Sequence, residues 1–175
     1  MTTAIIYHYF EVNKTYKDNF IFFLNTAIYP DAKYFIFISG TCSIDLPKRS
    51  NVNIYFIENR NNDFGAVVGF HKLSKSYDFD NYIFINSSVR GPFKATYCKE
   101  IWYEVFTSQL SENVGLVGSS INLLPTTAKG SIEFENRHSY EAPYIHVQTT
   151  AYALSADSYK VLESYNFFNE NDVLN

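Results

Sequence analysis

Short runs of β-branched and aromatic residues recur along the 175-residue chain, and most are separated by segments long enough to form a helix. This alternation is typical of a mostly parallel sheet covered on both faces, because parallel strands need a long crossover between them. The predicted strands are Ala4–Tyr9, Tyr34–Ser39, Asn53–Ile57, Tyr82–Ile85, Val114–Val117 and Tyr144–Ala153. The sequence therefore predicts one α/β domain, residues 1–175, with a Rossmann-like central sheet of about six strands flanked by helices.

Apolar residues at helical spacing predict the helices between these strands. The predicted helices are Lys14–Ile28, Phe64–Ser76 with Asp63 as its N-cap, an amphipathic stretch from Ile101 to Leu110, and Ala156–Glu163. Residues Asn122–Pro143 show no clear period, which is typical of a binding or lid loop. The last residues, 169–175, show no capping or packing pattern, which leaves open that the domain is the N-terminal part of a longer protein.

Charge and composition exclude several classes of protein. The 14 Lys and Arg residues are scattered and are outnumbered by 18 Asp and Glu, so we expect no binding of nucleic acid. The longest apolar stretch, near Phe20–Leu24, is far shorter than the ~18 residues of a membrane span. We expect a soluble, cytoplasmic protein, with Cys42 and Cys98 as free thiols.

The predicted strands end in polar residues, and ligands of open α/β sheets bind beyond the carboxyl ends of the strands. These polar ends are Tyr7–Tyr9 around His8, Glu58–Asp63, Asn86–Arg90, Gly118–Ser120 and His146–Gln148. Each also has a simpler explanation as a turn, a helix cap, a loop start or a structural histidine. The sequence lacks the GxGxxG, GxxxxGK[ST], HExxH, CxxC and GxSxG patterns, so the usual dinucleotide, P-loop, zinc and serine-hydrolase sites have no support.

Four segments taken in order resemble a family of GT-A-type glycosyltransferases. They are Glu58–Ala66 (ENRNNDFGA), Tyr82–Phe93 (YIFINSSVRGPF), Val117–Asn122 (VGSSIN) and His146–Gln148 (HVQ). The family includes bacterial rhamnan-synthesis transferases and, as the most similar member, the N-terminal glycosyltransferase domain of a chlorella-virus enzyme that builds capsid glycans. The resemblance covers roughly residues 4–165 and implies a GT-A-like fold.

The resemblance also implies transfer of a hexosyl or rhamnosyl group from a UDP-sugar donor to a glycan or glycoprotein acceptor, in the host cytoplasm if the protein is viral. The candidate donor-binding residues are Tyr7, His8, Tyr9, Arg60, Asp63, Asn86, Ser87 and Arg90. Among them, Tyr7 and Tyr9 would supply a stacking face for the base, and Arg60 and Arg90 would donate to the diphosphate. Asp63, His146 and Gln148 are the candidates for contact with the reacting sugars, and no general base is named.

The resemblance further implies a divalent ion, Mn²⁺ or Mg²⁺, on the diphosphate. Such enzymes usually carry Asp-x-Asp after the fourth strand, whereas this chain has Asn86-Ser87-Ser88 there, all weaker ligands than carboxylates. Two placements stay open: Asn86 and Ser88 assist an ion held by the diphosphate, or Asp78 and Asp80 bind it. The missing carboxylates also favour an alternative, a non-catalytic nucleotide- or carbohydrate-binding module on the same fold.

Overall fold

A computed structural model describes residues 1–60, 62–139 and 144–169. Its strands are β1 (Thr3–Phe10), β2 (Lys33–Ser39), β3 (Val52–Ile57), β4 (Asn81–Asn86), β5 (Leu116–Gly118), β6 (Ile121–Leu124), β7 (Tyr144–Val147) and β8 (Ala151–Ser155). Its helices are α1 (Lys14–Thr26), α2 (Gly65–Ser74), α3 (Glu104–Thr107), α4 (Lys129–His138) and α5 (Ala156–Ser164), and a one-turn 3₁₀ helix covers Asn62–Phe64.

The central sheet has six strands in the order β3-β2-β1-β4-β8-β5. Strands β1 to β4 run parallel, and β8 lies antiparallel to both β4 and β5. Strands β6 and β7 form a separate antiparallel pair. The predicted fold class, a mostly parallel six-stranded sheet flanked by helices, is confirmed.

Side chains of β1 alternate between two apolar layers, as successive residues of a strand must. Ile5, Tyr7 and Tyr9 pack on one face with α1 and the segment around Trp102. Ala4 and Ile6 pack on the other face with α2 and α5. His8 follows on this second face, at the carboxyl end of the strand, so the alternation places its imidazole beside the start of α2.

Three predicted elements differ from the observed ones. The 101–110 segment forms a helix of four residues, α3, flanked by turns. The segment 122–143 is not irregular throughout, because it contains most of β6 and the ten-residue α4; its residues 140–143 lie outside the described ranges. The predicted strand Tyr144–Ala153 is two strands in two sheets, interrupted by the polar residues 148–150.

Helix α2 also begins differently from the prediction. Its N-cap is Phe64, which makes no side-chain cap hydrogen bond, and Asp63 lies one residue earlier, in the 3₁₀ turn. The Asp63 carboxylate instead accepts a hydrogen bond from the Thr149 hydroxyl at 3.0 Å. The capping role predicted for Asp63 is therefore wrong, and its side chain is directed to residues after β7.

Candidate functional site

A cavity of about 150 Å³ lies at the carboxyl ends of the two central strands, β1 and β4, which are paired so that His8 is level with Asn86. We call it the carboxyl-edge cavity. Its lining residues are His8, Phe10, Val12, Tyr16, Asn59, Asn62, Asp63, Asn86 and Ser87. Four predicted donor-binding residues, His8, Asp63, Asn86 and Ser87, are thus brought together.

His8 is buried at the base of this cavity, 6% exposed, with its Nε2 2.8 Å from the Ser39 hydroxyl at the end of β2. Burial lowers the pKa of His8 below its ordinary value. A hydrogen bond to the Asp63 backbone and the nearby Asp63 carboxylate act in the opposite direction and are smaller effects. The imidazole is therefore neutral at pH 7 and can either donate or accept a hydrogen bond, according to its tautomer.

The backbone around Ser87 is fixed from several sides. Its N–H donates to the His8 carbonyl at 3.0 Å, and its own carbonyl accepts from the buried Asn19 amide at 3.0 Å. Its hydroxyl accepts from the Phe10 N–H at 3.4 Å. These bonds tie the end of β4 to β1 and α1, so the floor of the carboxyl-edge cavity is built from rigid elements.

Asn86 and Ser88 form a local turn. The Asn86 Oδ1 accepts from the Ser88 backbone N–H at 3.0 Å and from the Ser88 hydroxyl. Both bonds use the oxygen that a metal ion would need, while the Asn86 Nδ2 is buried and has no hydrogen-bond partner in the part of the chain that the structure describes. The Asn86 side chain therefore has no free oxygen to offer a metal ion.

The prediction that the rings of Tyr7 and Tyr9 offer a stacking face to a base is wrong. Their side chains are 1% and 0% exposed, and both rings pack on Phe20 of α1, with centroids 5.0 and 4.3 Å away. Burial raises the pKa of both phenols. The two tyrosines lie on the face opposite to His8, so their rings contribute to the core and cannot stack on a base in this structure. A role for their backbone amides stays a prediction.

The two candidate arginines lie outside the carboxyl-edge cavity. Arg60 forms an exposed ion pair with Glu58, Nε to Oε2 2.7 Å, and lines a neighbouring cavity of about 450 Å³ between β3 and α2. Arg90 is exposed, and its guanidinium lies over the Phe22 ring at 4.7 Å. Both side chains lie after the carboxyl end of a strand, as predicted, and their role in binding a diphosphate stays a prediction.

His146 and Gln148 lie at the β6–β7 pair. His146 is exposed and level with Asn122, and the Gln148 N–H donates to the Ser120 carbonyl at 3.1 Å. Val147 faces the other way, towards Gly118 of β5. The residues that follow include Thr149, which reaches Asp63, so the β6–β7 pair approaches the rim of the carboxyl-edge cavity.

The described residues do not fit a divalent ion held by the protein. They contain no group of three or more His, Cys, Asp or Glu side chains that could hold a metal ion. At Asn86 and Ser88 the amide oxygen is already engaged, and Asp63 is the one carboxylate among the described lining residues. Asp78 and Asp80 precede β4, at the opposite edge of the sheet, where Asp80 accepts from the Thr2 N–H at 2.6 Å.

Sequence reasoning missed several residues of this site. Ser39 is the last residue of a predicted strand, so the rule that polar residues at strand ends are candidate site residues would also have identified it. Tyr16 and Val12 come from α1 and the loop before it, where Asn13 caps the helix by accepting from the Tyr16 N–H. Thr149 lay within a predicted strand, and no signal marked its hydroxyl as a partner of Asp63.

Comparison with solved structures supports the fold. The chain is similar to a galactosyltransferase, LgtC, solved with donor and acceptor sugar analogues, at 11% identity and a TM-score of 0.48, covering 98% of this chain and 67% of that one. It is also similar to an active-site variant of LgtC, at 10% identity and a TM-score of 0.50, covering 99% and 68%. No protein-family model and no curated protein sequence matches the chain.

At these identities the likeness concerns the fold, which is of the GT-A glycosyltransferase type. None of the described helices is long and apolar enough to cross a membrane.

Proposed function

We propose that this chain is a glycosyltransferase that moves a sugar from a nucleotide-diphosphate donor, a UDP-sugar, to a glycan acceptor. The observation that carries the proposal is the meeting of His8, Asp63, Asn86 and Thr149 at the carboxyl edge of a GT-A-type sheet. In open α/β sheets this edge is where ligands bind. The hexosyl or rhamnosyl class and a role in surface or capsid glycan synthesis belong to the same proposal and rest on the family resemblance.

The residues divide the work of binding a sugar nucleotide. Asp63 accepts hydrogen bonds from sugar or ribose hydroxyls. The neutral His8 holds the turn at Asp63 in place through its hydrogen bond to the Asp63 backbone. Departure of UDP leaves negative charge on the diphosphate, which cationic donors stabilise. Arg60 and Arg90 are our candidates, since a guanidinium can donate two parallel hydrogen bonds to a phosphate. His146 and Gln148, at the β6–β7 pair, are candidates for contact with the donor sugar or the acceptor.

The resemblance implies Mn²⁺ or Mg²⁺, and the donor set at Asn86 and Ser88 does not favour such an ion. A divalent ion prefers several oxygen ligands, carboxylates above all. If transfer depends on Mn²⁺, the ion must therefore arrive with the diphosphate, and we assign no step of the reaction to it.

The experiment offers a panel of UDP-sugars with simple alkyl glycosides as acceptors, with and without Mn²⁺, and measures released UDP and the mass of the product. Asp63→Asn keeps the shape of the side chain and removes its charge, and we expect transfer to fall about tenfold or more. Asp31→Asn is the matched control, because it makes the same change on an exposed residue that precedes β2, at the opposite edge of the sheet. Equal transfer by wild type and Asp63→Asn would contradict this assignment.

The second candidate is a binding module that holds a sugar nucleotide without turnover. The engaged oxygen of Asn86 favours it, because a metal-assisted route lacks its usual ligands here. Thermal shift with UDP-sugars separates the two functions. Stabilisation by a UDP-sugar with no UDP released for any acceptor would favour the binding module.

A further inference from the structure

A second cavity, of about 260 Å³, is lined by β5, β8, α5 and the 3₁₀ turn before α2. We call it the apolar cavity. Its described lining residues are Phe64, Leu116, Val147, Thr149, Tyr152, Leu154, Leu162 and Phe167. None of these side chains is charged at pH 7, and none of the candidate donor-binding residues is among them. The apolar cavity is therefore a different site from the one that the sequence predicts.

Two of the described lining side chains carry oxygen atoms, Thr149 and Tyr152. The Thr149 hydroxyl is already used, because it donates to the Asp63 carboxylate at 3.0 Å. Burial raises the pKa of Tyr152, and the nearby Tyr159 and Asp63 raise it further, so its phenol is uncharged at pH 7. A charged ligand would lose its hydration here without gaining an ionic partner from the described lining residues, so the apolar cavity favours an apolar group.

The apolar cavity adjoins the carboxyl-edge cavity. Asp63 lines the carboxyl-edge cavity, and the next residue, Phe64, lines the apolar cavity. Thr149 lines the apolar cavity and is joined to Asp63 by its hydrogen bond. The two cavities therefore meet at the Asp63–Thr149 pair, and a ligand made of a polar part and an apolar part can occupy both.

The size of the apolar cavity favours a small apolar group over a protein partner. Leu116 and Phe167 are 46% and 48% exposed there, so apolar surface is open to a ligand. A cavity of about 150 Å³ in another protein binds benzene, so the volume here accommodates a group larger than one such ring. A stable protein interface uses about 20–30 residues on each side, far more than the eight described residues that line this concave site.

We propose that the apolar cavity binds the apolar aglycone of the acceptor, an alkyl or aryl group linked to the sugar that receives the transferred residue. This inference rests on the proposed function, which brings the sugars to the carboxyl edge, next to the Asp63–Thr149 pair. An apolar group linked to the acceptor sugar by one glycosidic bond then lies beside the apolar cavity. The class of acceptor is therefore a glycoside with an apolar aglycone.

The test measures binding by calorimetry, first with the wild-type protein. The ligands are n-alkyl glucosides, galactosides and rhamnosides with chains from methyl to octyl, each below the concentration at which it forms micelles. For at least one of the sugars, we expect the affinity to rise about fourfold for each CH₂ group that is buried and to level off once the cavity is filled. Octanol, which has the chain without the sugar, should bind more weakly than the octyl glycoside.

The same ligands are then measured with Leu116→Gln, which replaces an apolar wall of the cavity by a polar side chain of similar size. We expect the affinity for the octyl glycoside to fall about tenfold and the rise with chain length to become shallower. Leu123→Gln is the matched control, because Leu123 is an exposed leucine of β6 that is not among the lining residues of the apolar cavity. It should keep the wild-type affinities.

Several results would overturn the inference. These are no binding of any octyl glycoside, equal affinities for the methyl and octyl glycosides of every sugar, octanol binding as tightly as the octyl glycosides, or equal effects of Leu116→Gln and Leu123→Gln. Self-association of the wild-type protein that is lost in Leu116→Gln would also overturn it, because a second copy would then occupy the cavity. The wild-type series decides the matter even if Leu116→Gln does not fold.

Failure of this inference differs from failure of the proposed function. If the affinity depends on chain length and on Leu116 as expected but no glycoside receives sugar, the site for an apolar glycoside stands and the proposed transferase activity fails. If sugar is transferred equally well to methyl and octyl glycosides that bind with equal affinity, the proposed function stands and the aglycone site is refuted.

Discussion

Gly65, the first residue of α2, offers a test of how the carboxyl-edge cavity is packed. A Cβ added at this position would lie 2.8 Å from the Arg60 carbonyl oxygen and 3.1 Å from the His8 Cε1. The first of these neighbours is backbone, and the second is a buried ring held by Ser39. Gly65→Ala must therefore displace either the turn after β3 or the imidazole.

The magnitude follows from two opposing effects. Overpacking of a buried site costs about 1–3 kcal/mol. Alanine gains back up to about 1 kcal/mol over glycine through helix propensity, and less at the first residue of a helix. We expect a net loss of about 1–2 kcal/mol in the free energy of unfolding, which lowers the Tm of a domain of this size by about 2–8 °C.

Thermal and urea unfolding of wild type, Gly65→Ala and Gly130→Ala measure this loss. Gly130 is the matched control, because it lies in the first turn of α4 and a Cβ there meets nothing within 4 Å. Gly130→Ala should be unchanged or more stable by up to about 1 kcal/mol. A Gly65→Ala variant that melts at or above wild type would refute the proposed packing of His8 against the turn.

Three further predictions concern charge. Burial lowers the pKa of His8, so near the ordinary histidine pKa of about 6.5 the unfolded state binds more protons than the folded state, and the free energy of unfolding should fall as the pH drops below that value. The free energy of unfolding of His8→Gln, measured between pH 5 and 7, should depend less on pH than that of wild type. An equal dependence on pH in both proteins would contradict this. Calorimetry should show weak binding of Mn²⁺ alone. If Mn²⁺ and UDP bind together, each should raise the affinity of the protein for the other by the same factor. Tight binding of Mn²⁺ without UDP that is lost in Asp78→Asn would place a metal site at the edge of the sheet opposite the carboxyl-edge cavity. Arg60→Ala should reduce donor affinity with little change in Tm, whereas Arg49→Ala, also exposed but before β3, should not; equal affinities would remove Arg60 from the donor site.

The parallel half of the fold was predictable because its signal is local. Strands β1 to β4 are buried or half-buried apolar runs, and the predicted bounds differ from the observed ones by one residue at each end or less. The region after residue 100 was less predictable, because its strands are short and pair across long separations. The interruption at residues 148–150 depends on pairing with β6 and with β4 and β5, which no local pattern records.

The sequence predicts which strand ends contribute to the candidate site, but it does not predict on which face of the sheet each side chain lies. Tyr7, His8 and Tyr9 share one strand end, yet alternation sends the two rings into the core under α1 and the imidazole to the cavity. Their residue types alone favoured the opposite assignment, since tyrosine is the better partner for a base. Which face of β1 meets α1 is decided by the packing of Phe20 and Phe23, and that is a tertiary choice.

Asn86 shows what a structure adds to a motif. It occupies the position where the family resemblance implies a carboxylate pair on a metal ion, which predicts a weak ligand role for its amide oxygen. The turn to Ser88 engages that oxygen, and the nitrogen is buried with no hydrogen-bond partner among the described residues. Asp63 is the one carboxylate among the described lining residues, and neither candidate arginine lines the carboxyl-edge cavity, so in the proposed transfer residues outside this cavity would stabilise the departing diphosphate.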